Sequence, residues 1–468
     1  MAPVPELADR ARACADRLRR AEGVLLASHI DADGLTSAAI ATRALERAAI
    51  PTDVVFENQL DDERIASIAS RDFETVLFTD FGSGQLETIV EHAERGDFDP
   101  IVVDHHQPAD AETQYHLNPL LEGIDGASEL SGAGACYLLA RSMDDKDNRD
   151  LAKLAVVGAV GDMQAVDGEL VGANREIVAE GIEAGVLEEG TDLALYGTQT
   201  RPLPKLLEYA DRPRIPGVSG NQNGSIQFLE SVEIPLKDDE GEWRRWIDLS
   251  MAERQSVISA LLQRGVDRGV SADALDSLVG TTYTFPEEPE GTELRDASEF
   301  STLLNATARY ERADVGLAVC LGDRSEALDR ARRLLANHRR NLSDGLEWVR
   351  EHGVETRRHV QFFDAGGAIR ETIVGIVSGM AFGTSGVDRD RPIVAFAEKS
   401  EREVKVSARG TAELVGQGLD LSKAVGTASR GVGGDGGGHD IAAGATIPAG
   451  SQEAFIDRFE DCVAEQLG

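Results

Sequence analysis

The stretch GVLLASHIDADGLTSAAIATRALERAAI, Gly23 to Ile50, decides how the first part of the chain is read. It opens on an apolar run of strand length and closes on an amphipathic helical pattern. SHIDADG lies at the joint and offers His29, Asp31 and Asp33. A strand running straight into a helix is the repeating unit of a parallel sheet.

The same alternation continues. DVVFE (53–57), TVLFTD (75–80), IVVD (101–104) and AVVGAVGD (155–162) read as further buried strands, with amphipathic stretches such as QLETIVEHAERG between them. The expectation is an α/β fold: a parallel sheet with helices on both faces over residues 1–200. The segment RPLPKLLEYADRPRIPGVSGNQNGS has the prolines, glycines and asparagines of a boundary. A mixed, largely helical segment is expected over 201–323, with FPEEPEGTE as an exposed loop. Leu328, Ala331, Leu335, His338, Leu342, Leu346 and Val349 recur at helical steps, which predicts a connecting helix over 324–351. A smaller α/β domain over 352–468 would hold the strands HVQFFD, PIVAFAE and EVKVSAR around one apolar helix, ETIVGIVSGMAF.

Composition bounds the class. The chain has 468 residues, 41% of them hydrophobic, and no apolar run long enough to span a bilayer, so no membrane partner is expected. The N-terminus lacks the apolar centre of a signal peptide, and the four cysteines are widely spaced without a CxxC pair. A cytoplasmic protein is expected. Its net charge is -36, from 83 acidic and 47 basic residues. Alone, that argues against a nucleic-acid partner. A protein adapted to salty cytoplasm also needs such a surface, however, and at about 1 M salt the Debye length falls to about 3 Å. We read the acidity as halophilic, so it does not exclude a polyanionic substrate.

Chemistry-bearing residues gather at the predicted strand ends. His29, Asp31 and Asp33 follow the first run, Asp80 follows TVLFT, Asp104, His105 and His106 follow IVV, and Asp162 follows AVVGAVG. In an open parallel sheet such groups meet beyond the carboxyl edge. A lone aspartate there is usually a cap or turn residue. Four such ends, two of them with histidine, exceed what capping explains. In an extended His29-x-Asp31-x-Asp33 the three would point the same way. So many carboxylates repel each other unless cations neutralise them. Carboxylate mixed with imidazole suits Mn²⁺, with Mg²⁺ as the harder alternative. The inventory suffices for two ions sharing a carboxylate, an arrangement that hydrolyses phosphoesters. A dinucleotide fingerprint, a P-loop and a G-x-S-x-G elbow are all missing.

SHIDADG, Asp80, VVDHH and VGAVGDM resemble the four motifs of the DHH phosphoesterase superfamily. GGDGGGHDIAAGA, Gly433 to Ala445, resembles the glycine-histidine segment of its DHH-associated C-terminal domain. With LLNATARYERADVGLAVCLGDR, the order looks most similar to archaeal RecJ-like exonucleases, including those associated with the GINS replication complex. The resemblance implies His29, Asp31 and Asp80 on one Mn²⁺, and Asp33, Asp80, His105 and Asp162 on the other. It implies Asp104 as an orienting residue and His106 facing the scissile phosphate. It further implies Ser407 and Arg409 gripping the substrate strand, and Gly436, Gly437, Gly438 and His439 contacting phosphate or nucleotide in a cleft between the two domains.

The expected activity is therefore Mn²⁺-dependent exonuclease cleavage of single-stranded DNA or RNA in replication or repair. A phosphodiesterase for short oligoribonucleotides or cyclic dinucleotides is the enzymatic alternative, and a replisome scaffold binding GINS is the non-enzymatic one. Asn305 and Arg309 could serve the substrate or brace domains. Trp243 and Trp246 could stack bases or pack a hinge. His92, His116, His338, His352 and His359 are expected to be surface or packing residues.

Overall fold

The computed structural model describes residues 3–143, 148–210, 213–384 and 386–468. Asp211 and Arg212 of the proline-rich segment lie outside the described residues. The chain forms two compact units, Met1–Arg332 and Arg333–Gly468. The helix Glu326–His352 runs from the end of one into the other.

The first unit is built on five strands: β1 Val24–His29, β2 Thr52–Glu57, β3 Thr75–Thr79, β4 Asp99–Val103 and β5 His116–Leu117. They lie in the order β2-β1-β3-β4-β5, and every pairing is parallel. Leu25, Ala27, Val76, Phe78 and Val102 pack on one face against Ile65, Ile68, Leu86 and Ile89 of the helices Asp62–Ala69 and Leu86–Arg95. The helix Ala32–Arg47 is buried along most of its length against the helices Gly132–Met143 and Ala152–Gly161. In this strand order the direction of winding reverses between β1 and β3, which leaves a crevice at their carboxyl ends.

AVVGAVGD is not a strand. It belongs to the helix Ala152–Gly161, with Asp162 as its C-cap. An apolar run buried all round reads alike in either state. Here small residues let three helices nest: a Cβ on Gly158 would lie 2.5 Å from Ala133 Cβ, and one on Gly161 2.7 Å from Ala32 Cβ.

Within 201–323 four helices, Leu203–Glu208, Gln222–Ser231, Met251–Asp267 and Ala272–Asp276, pack around Phe228, Leu229, Trp246, Val257 and Leu261. An antiparallel pair, β6 Glu188–Leu193 and β7 Val279–Thr284, closes their base. The loop FPEEPEGTE is pinned rather than free, since buried Glu288 and Glu293 pair with Arg324 and Arg332 at 2.5 Å each.

The second unit is a mixed six-stranded sheet in the order β12-β13-β11-β10-β9-β8. Its strands are β8 Glu355–Thr356, β9 Gln361–Asp364, β10 Ile393–Glu398, β11 Glu403–Arg409, β12 Asp435–Gly438 and β13 Ala442–Pro448. Val394, Phe396, Val404 and Val406 pack against the helices Leu421–Gly431 and Gln452–Leu467 on one face. Ile393, Ala395 and Ala397 pack against the helix Glu371–Ala381 on the other. Among the described residues no helix is long and apolar enough to cross a membrane.

Candidate metal centre

Three strand ends and two helices build the site. β1 ends in His29. Asp31 then caps the next helix, its Oδ1 accepting from Gly34 N at 3.0 Å. The helix start folds back so tightly that a Cβ on Gly34 would lie 2.2 Å from His29 O. Asp33 is already inside the helix Ala32–Arg47, so the extended alternation covers His29 and Asp31 only. Asp33 reaches the same place from the first helical turn. Past β3, Asp80 takes a left-handed φ of 59°, a conformation non-glycine residues adopt at a cost. Past β4 come Asp104, His105 and His106. Asp162 arrives from its helix end.

These side chains form two adjoining groups of possible ligands, His29–Asp31–Asp80 and Asp33–His105–Asp162, and a further group, Asp80–Asp104–His105–His106, overlaps both. In the first, His29 Nδ1 lies 3.1 Å from Asp31 Oδ2 and 3.6 Å from Asp80 Oδ2. In the second, His105 Nε2 lies 3.8 Å from both Asp33 Oδ2 and Asp162 Oδ2. Asp80 belongs to both neighbourhoods, because its Oδ1 is 3.3 Å from His105 Nε2. That Oδ1 is buried and no donor reaches it with hydrogen-bond geometry. A buried carboxylate oxygen in that state calls for a cation.

Backbone groups orient the ligands. Gly132 N and Ala133 N, at the start of the helix Gly132–Met143, donate to Asp33 Oδ2 and Oδ1 at 2.7 and 3.0 Å. His105 Nδ1 donates to Gly126 O at 2.6 Å, which leaves Nε2 facing the carboxylates. Asp104 Oδ1 accepts from His105 N, His106 N and His106 Nδ1 at 2.7, 3.2 and 2.8 Å, and Oδ2 accepts from Ser83 N at 2.9 Å. With both oxygens taken, Asp104 orients the two histidines. His106 is exposed while its neighbour is buried, so the adjacent rings point to different surroundings.

The charges are strongly coupled. Burial and the neighbouring Asp80 and Asp162 push the Asp33 carboxyl well up, and burial pushes Asp162 up to about 6. At Asp80 burial is outweighed by the neighbouring imidazoles of His105 and His29, which hold the carboxyl below its ordinary range. Burial opposes charge on His29, yet Asp31 and Asp80 push it up to about 11, and Asp80 likewise raises His105. The carboxylates draw positive charge into the pocket, first of all onto these imidazoles. The donor set, the uncapped Asp80 oxygen and the glycine cradle fit divalent ions. A Cβ on Gly132 would lie 2.6 Å from Asp80 Oδ1, and one on Gly158 2.4 Å from Asp33 Oδ1.

The remaining candidates sit elsewhere. Asn305 Oδ1 accepts from Ala32 N at 3.0 Å and so braces the turn that carries Asp31 and Asp33. Arg309 is exposed, within electrostatic reach of Asp31. Trp246 is 1% exposed and donates to Asp192, whereas Trp243 is exposed with Lys237 over its ring. His116 is buried against Ser83 Oγ at 2.9 Å. In the second unit Gly436, Gly437 and Gly438 belong to a strand of their own, β12. Ser407 pairs in register with Gly444, and Gly444 with Gly437. Arg409 pairs with Ala442, whose O accepts from His439 N, so Arg409 and His439 share one end of the sheet. Gly436 is half-buried, Gly437, Gly438 and His439 are exposed, and Ser407 is buried beneath Gly375.

Sequence reading missed Gly126, Gly132, Ala133, Gly158, Ser83 and Gln164. Backbone donors and cradle glycines carry no side-chain signature, and the small-residue run SGAGAC was the one visible trace of that close approach.

Three domain models match the chain in order: the DHH family N-terminal domain over residues 23–159, the DHH-CID domain over 195–279 and the DHHA1 domain over 369–465. An uncharacterized protein of Methanocaldococcus jannaschii is 29% identical, covering 94% of this chain and 93% of its own. The single-stranded-DNA-specific exonuclease RecJ of Thermus thermophilus is 27% identical over 56% of this chain and 40% of its own, so the sequence match spans less than half of that enzyme. The crystal structure of Thermus thermophilus RecJ in complex with Mn²⁺ has a TM-score of 0.61 at 19% identity, covering 99% of this chain and 55% of the other. Entamoeba histolytica CDC45 shares the fold with a TM-score of 0.65 at 11% identity, covering 98% and 97%. Domain order, motifs and fold agree: this chain is a RecJ-like member of the DHH superfamily, a group of metal-dependent phosphoesterases.

Proposed function

We propose that the protein is a Mn²⁺-dependent exonuclease that cleaves single-stranded nucleic acid, DNA or RNA, from an end, in replication or repair in a salt-adapted archaeon. The observation that carries this reading is the pair of ligand groups meeting at Asp80, with its buried and uncapped Oδ1. His29, Asp31 and Asp80 would hold one ion; Asp33, Asp80, His105 and Asp162 would hold the other. Bound there, divalent ions polarise a phosphoryl oxygen and lower the pKa of water. Mixed imidazole and carboxylate ligands favour Mn²⁺ over Mg²⁺. Thermus RecJ is known in complex with each of these ions.

The protein's own part is to hold these groups and the phosphate. The helix start at Gly132 fixes Asp33, and the Gly126 carbonyl fixes the ring of His105. The hydrogen bond to Asp104 raises His106 above its ordinary value, which favours the protonated ring, the form that can donate to a phosphoryl oxygen. In the second unit, Ser407, Arg409, Gly436, Gly437, Gly438 and His439 would engage the sugar-phosphate backbone. The glycines leave backbone exposed for close approach, and Arg409 supplies charge.

The test is hydrolysis of single-stranded DNA and RNA labelled at either end, in high salt with Mn²⁺. A ladder growing from one end is expected, and its absence with both polymers would sink the reading. Asp33→Ala should abolish cleavage and also the rise in Tm that Mn²⁺ produces in the unaltered protein, while keeping the fold by circular dichroism. The likeness to CDC45 favours a second reading, a replisome scaffold binding GINS. Capture of GINS by the cleavage-dead variant would support it.

A further inference from the structure

Gln164 lies behind one of the two ligand groups and is 1% exposed. Its Nε2 donates to Asp162 Oδ2 at 2.9 Å and to Gly126 O at 2.8 Å. Gly126 O is also the acceptor for His105 Nδ1. One carboxamide therefore braces Asp162 directly and His105 through a shared carbonyl. Both of its N–H hydrogens are used.

The direction of that amide is decided from its other end. Asn174 Nδ2 donates to Gln164 Oε1 at 2.7 Å. Asn174 is 2% exposed, and its own N is anchored on Glu129 O at 2.7 Å. Were the amide reversed, Oε1 would face the Asp162 carboxylate and the Gly126 carbonyl, which are acceptors only. The backbone turns Gln164 inward by placing Met163 at a φ of 57° and leaving its side chain 83% exposed. Such a conformation persists in a non-glycine residue only where its surroundings dictate it. Gln164 makes no contact with the His29–Asp31–Asp80 group among the hydrogen bonds described.

We propose that Gln164, oriented by Asn174, is a positioning residue that fixes His105 and Asp162 as ligands of one ion and leaves the other ion's ligands alone. The inference rests on the two-metal reading above. Partners that orient metal ligands typically contribute about 10–100-fold in metal affinity.

The experiment is Mn²⁺ titration of the full chain, followed by electron paramagnetic resonance. The unaltered protein is compared with Gln164→Met, Asn174→Asp and the double variant. Methionine keeps the length of glutamine and has no donor. Aspartate at 174 demands a donor and so reverses the Gln164 amide. Each single substitution is expected to weaken one of two Mn²⁺ sites by at least about tenfold, with the other site unaltered. Asn174→Asp should add nothing in the Gln164→Met background, and excess Mn²⁺ should restore kcat. Should Gln164→Met not fold, Gln164→Glu, which keeps the shape and loses the donor, replaces it. Two unaltered sites in the single variants, additive losses, or equal weakening of both sites would overturn the inference. An unaltered protein that binds no Mn²⁺ pair would instead overturn the metal reading, and this inference with it.

Discussion

The Glu299 carboxylate is fully buried, and its acceptors are used by Gln199 N at 2.8 Å and by the Thr200 hydroxyl. Burial outweighs these bonds and pushes it up from 4.5 to about 7. The unfolded chain thus ionises this group at lower pH than the folded one, so stability falls as pH rises from about 4.5 to 7. Glu299→Gln should remove that slope, worth about 3 kcal/mol at most, as read by chemical denaturation at pH 4.5 and pH 8. Asp104 works in the opposite sense. Burial would raise its carboxyl, but the hydrogen bond from His106 and nearby imidazole charge hold it at about 2, and the same bond raises His106. Asp104→Asn should therefore lower the His106 pKa and shift the alkaline limb of kcat to lower pH. A drop in kcat of roughly 10–100-fold with unchanged Mn²⁺ stoichiometry is expected. An unmoved limb would argue against a proton held on His106.

At the scale of elements, the helix Gly132–Met143 matters more for where it begins than for its length. Its first amides hold Asp33, and its first residue has no Cβ because Asp80 Oδ1 and Asp33 Oδ2 occupy that space at 2.6 and 3.0 Å. Gly132→Ala should lower Tm, since the added Cβ overlaps buried Asp80 Oδ1 and Cβ at 2.6 and 2.9 Å. It should weaken Mn²⁺ binding and cut activity by at least about 100-fold, as read by metal titration and oligonucleotide cleavage. The helix Ala297–Ala308 shows how distant sequence enters the site. Glu299 near its start binds the 199–200 loop, and Asn305 near its end caps Ala32 N. SHIDADG announced its own ligands, but nothing in it points to a partner 273 positions away.

For the whole molecule, a net charge of -36 makes self-repulsion a global term. It is screened over about 10 Å at 0.1 M salt and about 3 Å at 1 M. Stability should rise by a few kcal/mol between 0.1 and 2 M KCl, seen as roughly 5–10 °C in Tm. A Tm that does not move would argue against the halophilic reading of the composition.

The sequence by itself determined the α/β class, the strand ends at β1, β3 and β4, and the identity of the chemistry-bearing side chains. Strand-length apolar runs and clustered aspartates and histidines are local signals, written in consecutive residues. Tertiary structure alone decided that 155–161 is helical, because a run buried on all sides has no period to betray its state. It decided that Asp33 acts from a helical turn, that the terminal glycines form a strand, and that Asp104 is saturated by donors. It also supplied what surrounds the ligands: the Gly132 amides, the Gly126 carbonyl and the Gln164 carboxamide. Those groups are assembled by packing between segments far apart in the chain, and backbone atoms look the same in every sequence.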